Sequence, residues 1–530
     1  MRRWNGWGEE SVVAQVPEAA LTQLAGHLGP GQPGPDAPWP EVVAAVPASR
    51  LPAHPLVTTE PAPRMRYAAG QSLPDWIALR SGRLPAFPDG VAFPESEAEV
   101  RELLAFAASV GARLIPYGGG TSVVGHLAVP PGPRPVLTVS LARMSSLLDF
   151  DGRSRLAVFG AGIAGPDLEA QLRARGFTLG HFPQSFEYST LGGWVATRSC
   201  GQESLGYGRI ERLFAGGRIE APAGRLDLPP LPASAAGPDL RSFILGSEGR
   251  FGILTQATVR ITPVPETEEV HSVFFPEWTT ALEALRRLAQ ARLSLSMLRL
   301  STPQETETSL RLSAGGRRLV LLDRYLRWRG AGPEKCLLLL GLAGSRRTVS
   351  VGREEAVRLA VTGGGVSLGR LFEKGWRDQR FRAPYLRNAL WERGYALDTL
   401  ETAAPWGRIP SLLGAVETSL RDGLRQQGET VFVMSHLSHV YPDGASLYTT
   451  YLFRRTADPE EMLSRWRALK TSASEAILAQ GGTISHQHGV GRDHLPFLAR
   501  EIGPLGVAAL GSAARVFDPD GIMNPGALVA

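Results

Sequence analysis

The run Arg113-Leu114-Ile115-Pro116-Tyr117-Gly118-Gly119-Gly120-Thr121-Ser122 carries a short apolar strand straight into three glycines and two hydroxyls. Adjacent glycines let the backbone approach a ligand closely and turn successive amides toward one anion, and Thr121 and Ser122 add hydroxyl donors. A pyrophosphate is the natural guest. A plain glycine-rich connection accounts equally well for this stretch taken alone. No Gly-Lys-Ser/Thr follows, so it is not a Walker loop.

Upstream, Ser96 and Glu99 predict a capping box, Val100, Leu103, Leu104, Ala107 and Ala108 recur at helical spacing, and Gly111 marks the stop. Downstream, strand Leu156 to Phe159 is followed by Pro166 at a helix start, Leu168 and Leu172 on one face, and Gly176 as terminator. Between them, Gly160-Ala161-Gly162-Ile163-Ala164-Gly165 matches the dinucleotide fingerprint letter for letter. We reject that match, because His181-Phe182-Pro183 breaks the second strand that a ribose-binding acid would need. The glycines are read as easing a strand-to-helix turn. Two more glycine and hydroxyl segments follow. One is Gln184-Ser185-Phe186-Glu187-Tyr188-Ser189-Thr190 leading into Thr197-Arg198-Ser199-Cys200, and the other is Glu248-Gly249-Arg250-Phe251-Gly252-Ile253-Leu254.

A chain of 530 residues exceeds what one core normally holds, so several domains are expected. The divisions read here are an N-terminal arm over 1–85, a cofactor domain over 86–265, an α/β cap over 266–455 opened by Pro263 and Pro265, and a C-terminal segment over 456–530 that completes the cofactor site. Gly29 to Pro63 reads as an irregular linker, Thr279 to Leu293 and Pro459 to Gln480 as helices, and Cys336 to Leu342 as a buried strand too short to span a bilayer. The apolar fraction of 43% and charged fraction of 20% are those of a globular protein. Arginine, with lysine only at 335, 374 and 470, gives a net charge of +5 without long basic runs, which argues against a nucleic-acid surface. Cys200 and Cys336 make no disulfide framework, and Met1-Arg2-Arg3-Trp4 has no apolar core behind it, so a cytoplasmic protein is expected.

The order and spacing of the glycine segments resemble the FAD domain of the vanillyl-alcohol-oxidase (PCMH-type) superfamily, which implies an α+β fold with a two-subdomain FAD-binding domain and a cap. The first loop would wrap the pyrophosphate, and residues from Pro116 through Leu254 in the quoted segments would line FAD. Thr121 stands where some relatives carry a histidine bonded to the flavin, so the cofactor is expected to be non-covalent. Gln184 replaces an aspartate of the relatives.

Over nearly its whole length the chain is further similar to the alkyldihydroxyacetonephosphate synthase family. The likeness runs through Arg3-Trp4-Asn5-Gly6-Trp7-Gly8, Pro384-Tyr385-Leu386-Arg387, Glu401-Thr402-Ala403-Ala404-Pro405-Trp406 and His486-Gln487-His488-Gly489-Val490-Gly491. It implies that Arg387 contacts substrate, that Tyr448 is the catalytic acid/base, and that His486 and His488 line the site and assist it. The substrates implied are acyl-dihydroxyacetone phosphate and a fatty alcohol, with contact to a membrane surface and a homodimer as further expectations. Trp376, Phe381 and Tyr385 are the candidate interfacial patch. The family carries three consecutive histidines where this chain has Gln487 in the middle.

The alternative is a flavin-dependent glycolate or lactate dehydrogenase or oxidase. Such enzymes carry His-x-Gly-Asp-Gly-Asn-x-His and Glu-His-Gly, a set able to hold a metal, where this chain has Tyr448 and Gln487. His436, His439, His486, His488 and His494 could pass for a zinc site, but no Cys or acidic residue completes one at ligand spacing, and no metal is expected.

Overall fold

A computed structural model describes residues 1–313 and 317–529. The strand Arg113–Tyr117 forms as expected and runs parallel to Val136–Ser140 in a four-stranded sheet. The helix before it, Glu97–Ser109, buries Val100, Leu103, Leu104 and Ala107. Its capping box is half formed. Ser96 Oγ accepts from the amide of Glu99 at 3.3 Å, while the Glu99 carboxylate reaches past Ser96 to the amide of Glu95.

A second, five-stranded sheet is antiparallel and contains Leu156–Gly160 beside Ile253–Arg260. That orientation removes the parallel unit a dinucleotide fingerprint requires. Gly162 is small for a packing reason, since a Cβ there would stand 1.7 Å from the carbonyl of Leu141. The C-terminal tail returns to this region and sandwiches Leu114, whose amide donates to Ile522 and whose carbonyl accepts from Asn524, both at 2.7 Å.

The rest of the chain builds a seven-stranded sheet in which every pairing is antiparallel. Cys336–Gly344 is one of its inner strands, which explains its unbroken apolar run. The helices Trp278–Gln290, Arg346–Thr362, Ile409–Asp422 and Pro459–Ala479 contribute to a single large apolar core with one face of this sheet. Leu437, Leu447, Tyr451 and Phe453 point into that core. The other face, carrying the alternate residues, is left for a cavity.

The proposed interfacial patch is exposed only in part, with Tyr385 buried and Trp376 and Phe381 half-buried. Tyr385 is 2% exposed, Phe381 stacks on Phe186 at 5.0 Å, and Trp376 packs against an apolar cluster. The burial follows from arginines that cover these rings as cation–π partners, such as Arg380 over Trp376 and Phe381. Among the described residues no helix is long and apolar enough to cross a membrane.

Candidate active site

The glycine segments, distant in sequence, converge on one cavity of about 490 Å³. Pro116 through Ser122 line it, with Gln184, Ser185, Ser189, Thr190, Thr197, Ser199, Glu248, Gly249 and Phe251 through Leu254. Glycine backbone and hydroxyls at one end and the apolar side chains Val195, Ile219 and Phe251 elsewhere make a donor set that fits a flavin dinucleotide. Gly119 is required by the neighbouring segment rather than by phosphate room: a Cβ there would meet the carbonyl of Tyr188 at 1.8 Å. Glu248 sits at φ 52° and accepts from the amides of Val490 and Gly491, so the 487–491 segment is tied to the cofactor wall. Burial lifts its carboxyl to about 7 against those two amides.

Several expected cofactor residues lie behind the wall. Phe186 is core, and Tyr188 donates or accepts at 3.0 Å with Tyr385 while Trp7 meets its ring edge-on. Glu187 is also off the wall. Arg198, left-handed at φ 55°, pairs with Glu211, and Arg250 bonds the carbonyl of Met523. The Cys200 thiol lies 3.3 Å from His439 Nδ1, and burial pushes it up to about 12.

The seven-stranded sheet forms the opposite wall, and its register sets the chemistry. His436, Tyr448 and Glu401 are direct cross-strand neighbours on the strands Phe432–Val440, Gly444–Arg454 and Tyr395–Pro405. Two residues further along the same face lie Met434, Thr450 and Thr399, and beyond them Phe432, Leu452 and Leu397. The columns headed by His436 and Tyr448 therefore grade from ionisable to apolar over three rows, with Glu401 just off the cavity and Arg387 standing against the carbonyl of Leu397 in the third row. One stripe of the helix Pro303–Ser313, Glu305, Thr308, Ser309 and Leu312, follows the same gradient, and Leu24 of the helix Glu18–Leu28 joins the apolar end.

Tyr448 is 9% exposed, stacks on His436 at 5.0 Å and meets His488 edge-on at 6.0 Å. Burial, reinforced by the Glu401 and Asp398 carboxylates, raises its phenol against Thr399 and Arg387. Arg387 also lines the cavity. Its Nε donates to Leu397 and its Nη1 to Gln71, Trp76 lies under the guanidinium at 4.2 Å, and Nη2 is buried with no partner among the described residues.

His486 is not brought to Tyr448. Its Nε2 is taken by Tyr441 at 2.7 Å and Arg209 at 3.0 Å, and its ring stacks on His439 outside the cavity wall. The residue that sequence reading missed is Glu401. Its Oε1 lies 3.1 Å from His486 Nδ1, out of line for a hydrogen bond, and 3.8 Å from His439 Nε2. It accepts from Ser438 and Gln487, and Gln487 in turn accepts from the amide of Cys200. Burial opposes its ionisation, and His486 with the other two histidines outweighs burial, holding it well below the ordinary carboxylate range. No acid or thiol stands at ligand spacing from the histidines along the sequence, but the fold brings Glu401 and Cys200 to them. Glu401 with His439 and His486 has the make-up of a cation site, with their ligand atoms within 4.8 Å of one another. Register across strands, invisible to local spacing, brought them together.

The chain matches the FAD binding domain family over residues 88–226 and the C-terminal domain of FAD linked oxidases over 264–528. It is 30% identical over 98% of its length to alkyldihydroxyacetonephosphate synthase of Dictyostelium discoideum, covering 85% of that protein. It is 32% identical over 88% of its length to the synthase of Caenorhabditis elegans, covering 80%. A glycolate oxidase subunit of Bacillus subtilis matches at 24% over 84% of this chain and 90% of that one. A solved alkyldihydroxyacetonephosphate synthase superposes with a TM-score of 0.84 at 25% identity, covering 99% of this chain and 98% of its own. A 4-ethylphenol oxidase from Gulosibacter chungangensis shares the fold, with a TM-score of 0.68 at 14% identity over 98% of both chains. Its cofactor is accordingly FAD, and the chain belongs to the alkyldihydroxyacetonephosphate synthase family of FAD-dependent enzymes.

Proposed function

We propose that the chain exchanges the acyl group of acyl-dihydroxyacetone phosphate for a fatty alcohol, forming an ether. The observation that carries this reading is the graded cavity wall. A substrate with an ionic head and a long chain needs a charged end and an apolar arm in one cavity, whereas glycolate or lactate has no use for the arm formed by Leu24, Leu312, Phe432 and Leu452.

When bound, FAD supplies a nucleophilic ring nitrogen and an electron sink, with no net oxidation. Arg387 holds the anionic head through its free Nη2, a charge-assisted contact that Trp76 and two backbone carbonyls keep in place. Tyr448 takes and returns the proton on the carbon next to the carbonyl. Its raised phenol is protonated at rest, so it acts as base only after passing its own proton to His488 at the ring edge, and Arg387 and Thr399 stabilise the phenolate until the carbon-bound proton replaces the one lost. His488, at the ring edge, orients the phenol. The apolar rows exclude water while the chain is exchanged.

A fatty alcohol reaches such a cavity from a lipid surface. Val320, Leu321 and Trp328, exposed on the helix Arg317–Trp328, support peripheral contact with one. The test is to supply acyl-dihydroxyacetone phosphate and a long-chain alcohol with no electron acceptor. Alkyl ether should accumulate while glycolate and lactate leave the flavin oxidised. Flavin bleaching by a 2-hydroxy acid, with no ether product, would replace this reading by a dehydrogenase.

A further inference from the structure

One constellation on the cavity wall is unused by this mechanism. Glu305, on the helix Pro303–Ser313, accepts at 2.8 Å from His436 Nδ1 and at 2.8 Å from Arg299 Nη2, which also lies 3.2 Å from that imidazole nitrogen. The shorter, charge-assisted contact assigns the imidazole proton to Nδ1. His436 Nε2 then presents a lone pair, and it takes no hydrogen bond among the described residues. Glu305 Oε2 is likewise buried without a partner, on a residue 7% exposed that lines the cavity. An imidazole lone pair on a residue that lines the cavity, backed on its other nitrogen by a buried carboxylate, is a site for a ligand that donates a proton.

Its place in the wall says which ligand. Glu305 begins the stripe that runs through Thr308 and Ser309 to Leu312, and His436 begins the column that runs through Met434 to Phe432. Both open onto the apolar arm at its polar end. A long-chain alcohol lying along the arm brings its one O–H to the His436 lone pair, whereas a fatty acylate brings a carboxylate that donates nothing. The other titratable groups facing the dyad are Arg299 from the strand Leu295–Ser301, the neutral phenol of Tyr448 from Gly444–Arg454 and Glu401 beyond it.

Resting on the synthase reading, we propose that His436, backed by Glu305, is the general base that deprotonates the incoming fatty alcohol. Over the cycle the alcohol oxygen forms the new C–O bond, its proton passes to His436 Nε2, and the bond to the acylate breaks with its electron pair on the departing carboxylate. Nothing is oxidised or reduced. The imidazolium formed is paired by the Glu305 carboxylate and returns its proton to solvent as the ether product leaves.

The step can be isolated, because labelled fatty acid exchanging back into acyl-dihydroxyacetone phosphate arrives already deprotonated and needs no base. His436→Gln and Glu305→Gln proteins that carry FAD, checked by absorbance, are assayed for ether formation with hexadecanol and for exchange of labelled palmitate. Ether formation should fall by roughly 100-fold or more and exchange by less than about tenfold. A long-chain alcohol fluorinated next to its hydroxyl, being more acidic, should recover part of the lost rate. Equal losses in both assays, or no loss of ether formation in either variant, would overturn the proposal. Should one variant fail to fold, the other decides. Unaltered protein that carries out neither reaction would sink the synthase reading itself, a distinguishable result.

Discussion

Tyr448 stands between two buried acid–imidazole clusters of similar composition and opposite character. On one side Glu305 and His436 line the cavity with an unpartnered oxygen. On the other, Glu401 and His439 are 1% and 5% exposed and off the wall, with Glu401 held by Ser438 and Gln487 and His486 closed off by Arg209 and Tyr441. The difference is in the carboxylate's partners and its access to the cavity rather than in residue type, since the closed side keeps an unpartnered atom too, His486 Nδ1, but off the cavity wall. A fully partnered buried carboxylate fixes structure and field, while one left short of partners is available to a ligand. Gln487 illustrates the point: its amide links Glu401 to the backbone of Cys200 and so completes the closed side where the family has a histidine.

The largest expected effect is at the shared centre. Tyr448→Phe keeps the ring packed on His436 but removes the hydroxyl, and should lower turnover by about 100-fold to 10,000-fold while the protein stays yellow. Full activity would take the phenol out of the mechanism. Glu401→Gln tests the closed side, since it removes the charge among the histidines and leaves one acceptor where Ser438 and Gln487 now use two. We expect about 3–5 kcal/mol less stability to urea, with turnover of the remaining folded enzyme falling less than roughly tenfold. Unchanged stability with collapsed turnover would reverse the roles of the two clusters.

The cofactor wall was the more legible half. Gly118 through Ser122 and Glu248 through Leu254 announce close backbone approach by composition, and both stand on the cavity, Arg250 excepted. Strand and helix positions around them were also readable, because periodicity is a local signal. The sheet wall was not, since the row His436, Tyr448, Glu401 exists only through antiparallel register between strands up to 47 positions apart, Glu401 facing Tyr448. The family likeness singled out Tyr448 and placed Glu401 in a motif, but it gave no sign that the carboxylate would stand among the histidines. Glu305 carried no local mark at all, being one acid on an unremarkable helix.

A smaller effect is expected at Arg387, which is anchored on the carbonyl of Leu397. Arg387→Lys keeps the charge but cannot fill two backbone carbonyls and a free donor at once, so the substrate KM should rise by roughly tenfold to 100-fold with kcat less affected. A kcat loss without a KM change would assign the guanidinium to the chemical step instead of to binding.

The smallest and most specific effect is a pH dependence on the open side. Burial alone would raise Glu305, but Arg299 and His436 outweigh it and bring its carboxyl down to about 2. A carboxyl depressed by folding contributes stability that is present above its unfolded pKa, about 4.3, and is lost as pH falls through the folded value. The imidazole would confuse the measurement, so the comparison is between His436→Gln and the double variant His436→Gln/Glu305→Gln, in which Arg299 still faces residue 305. The single variant should be the more stable at about pH 6, and its advantage should shrink on going to about pH 3.5, read as the difference in urea midpoints. An advantage that grows on acidification would mean that Glu305 carries its proton at neutral pH. It would then hold no charge for an imidazolium to pair with, and the open cluster would lose its standing as a base.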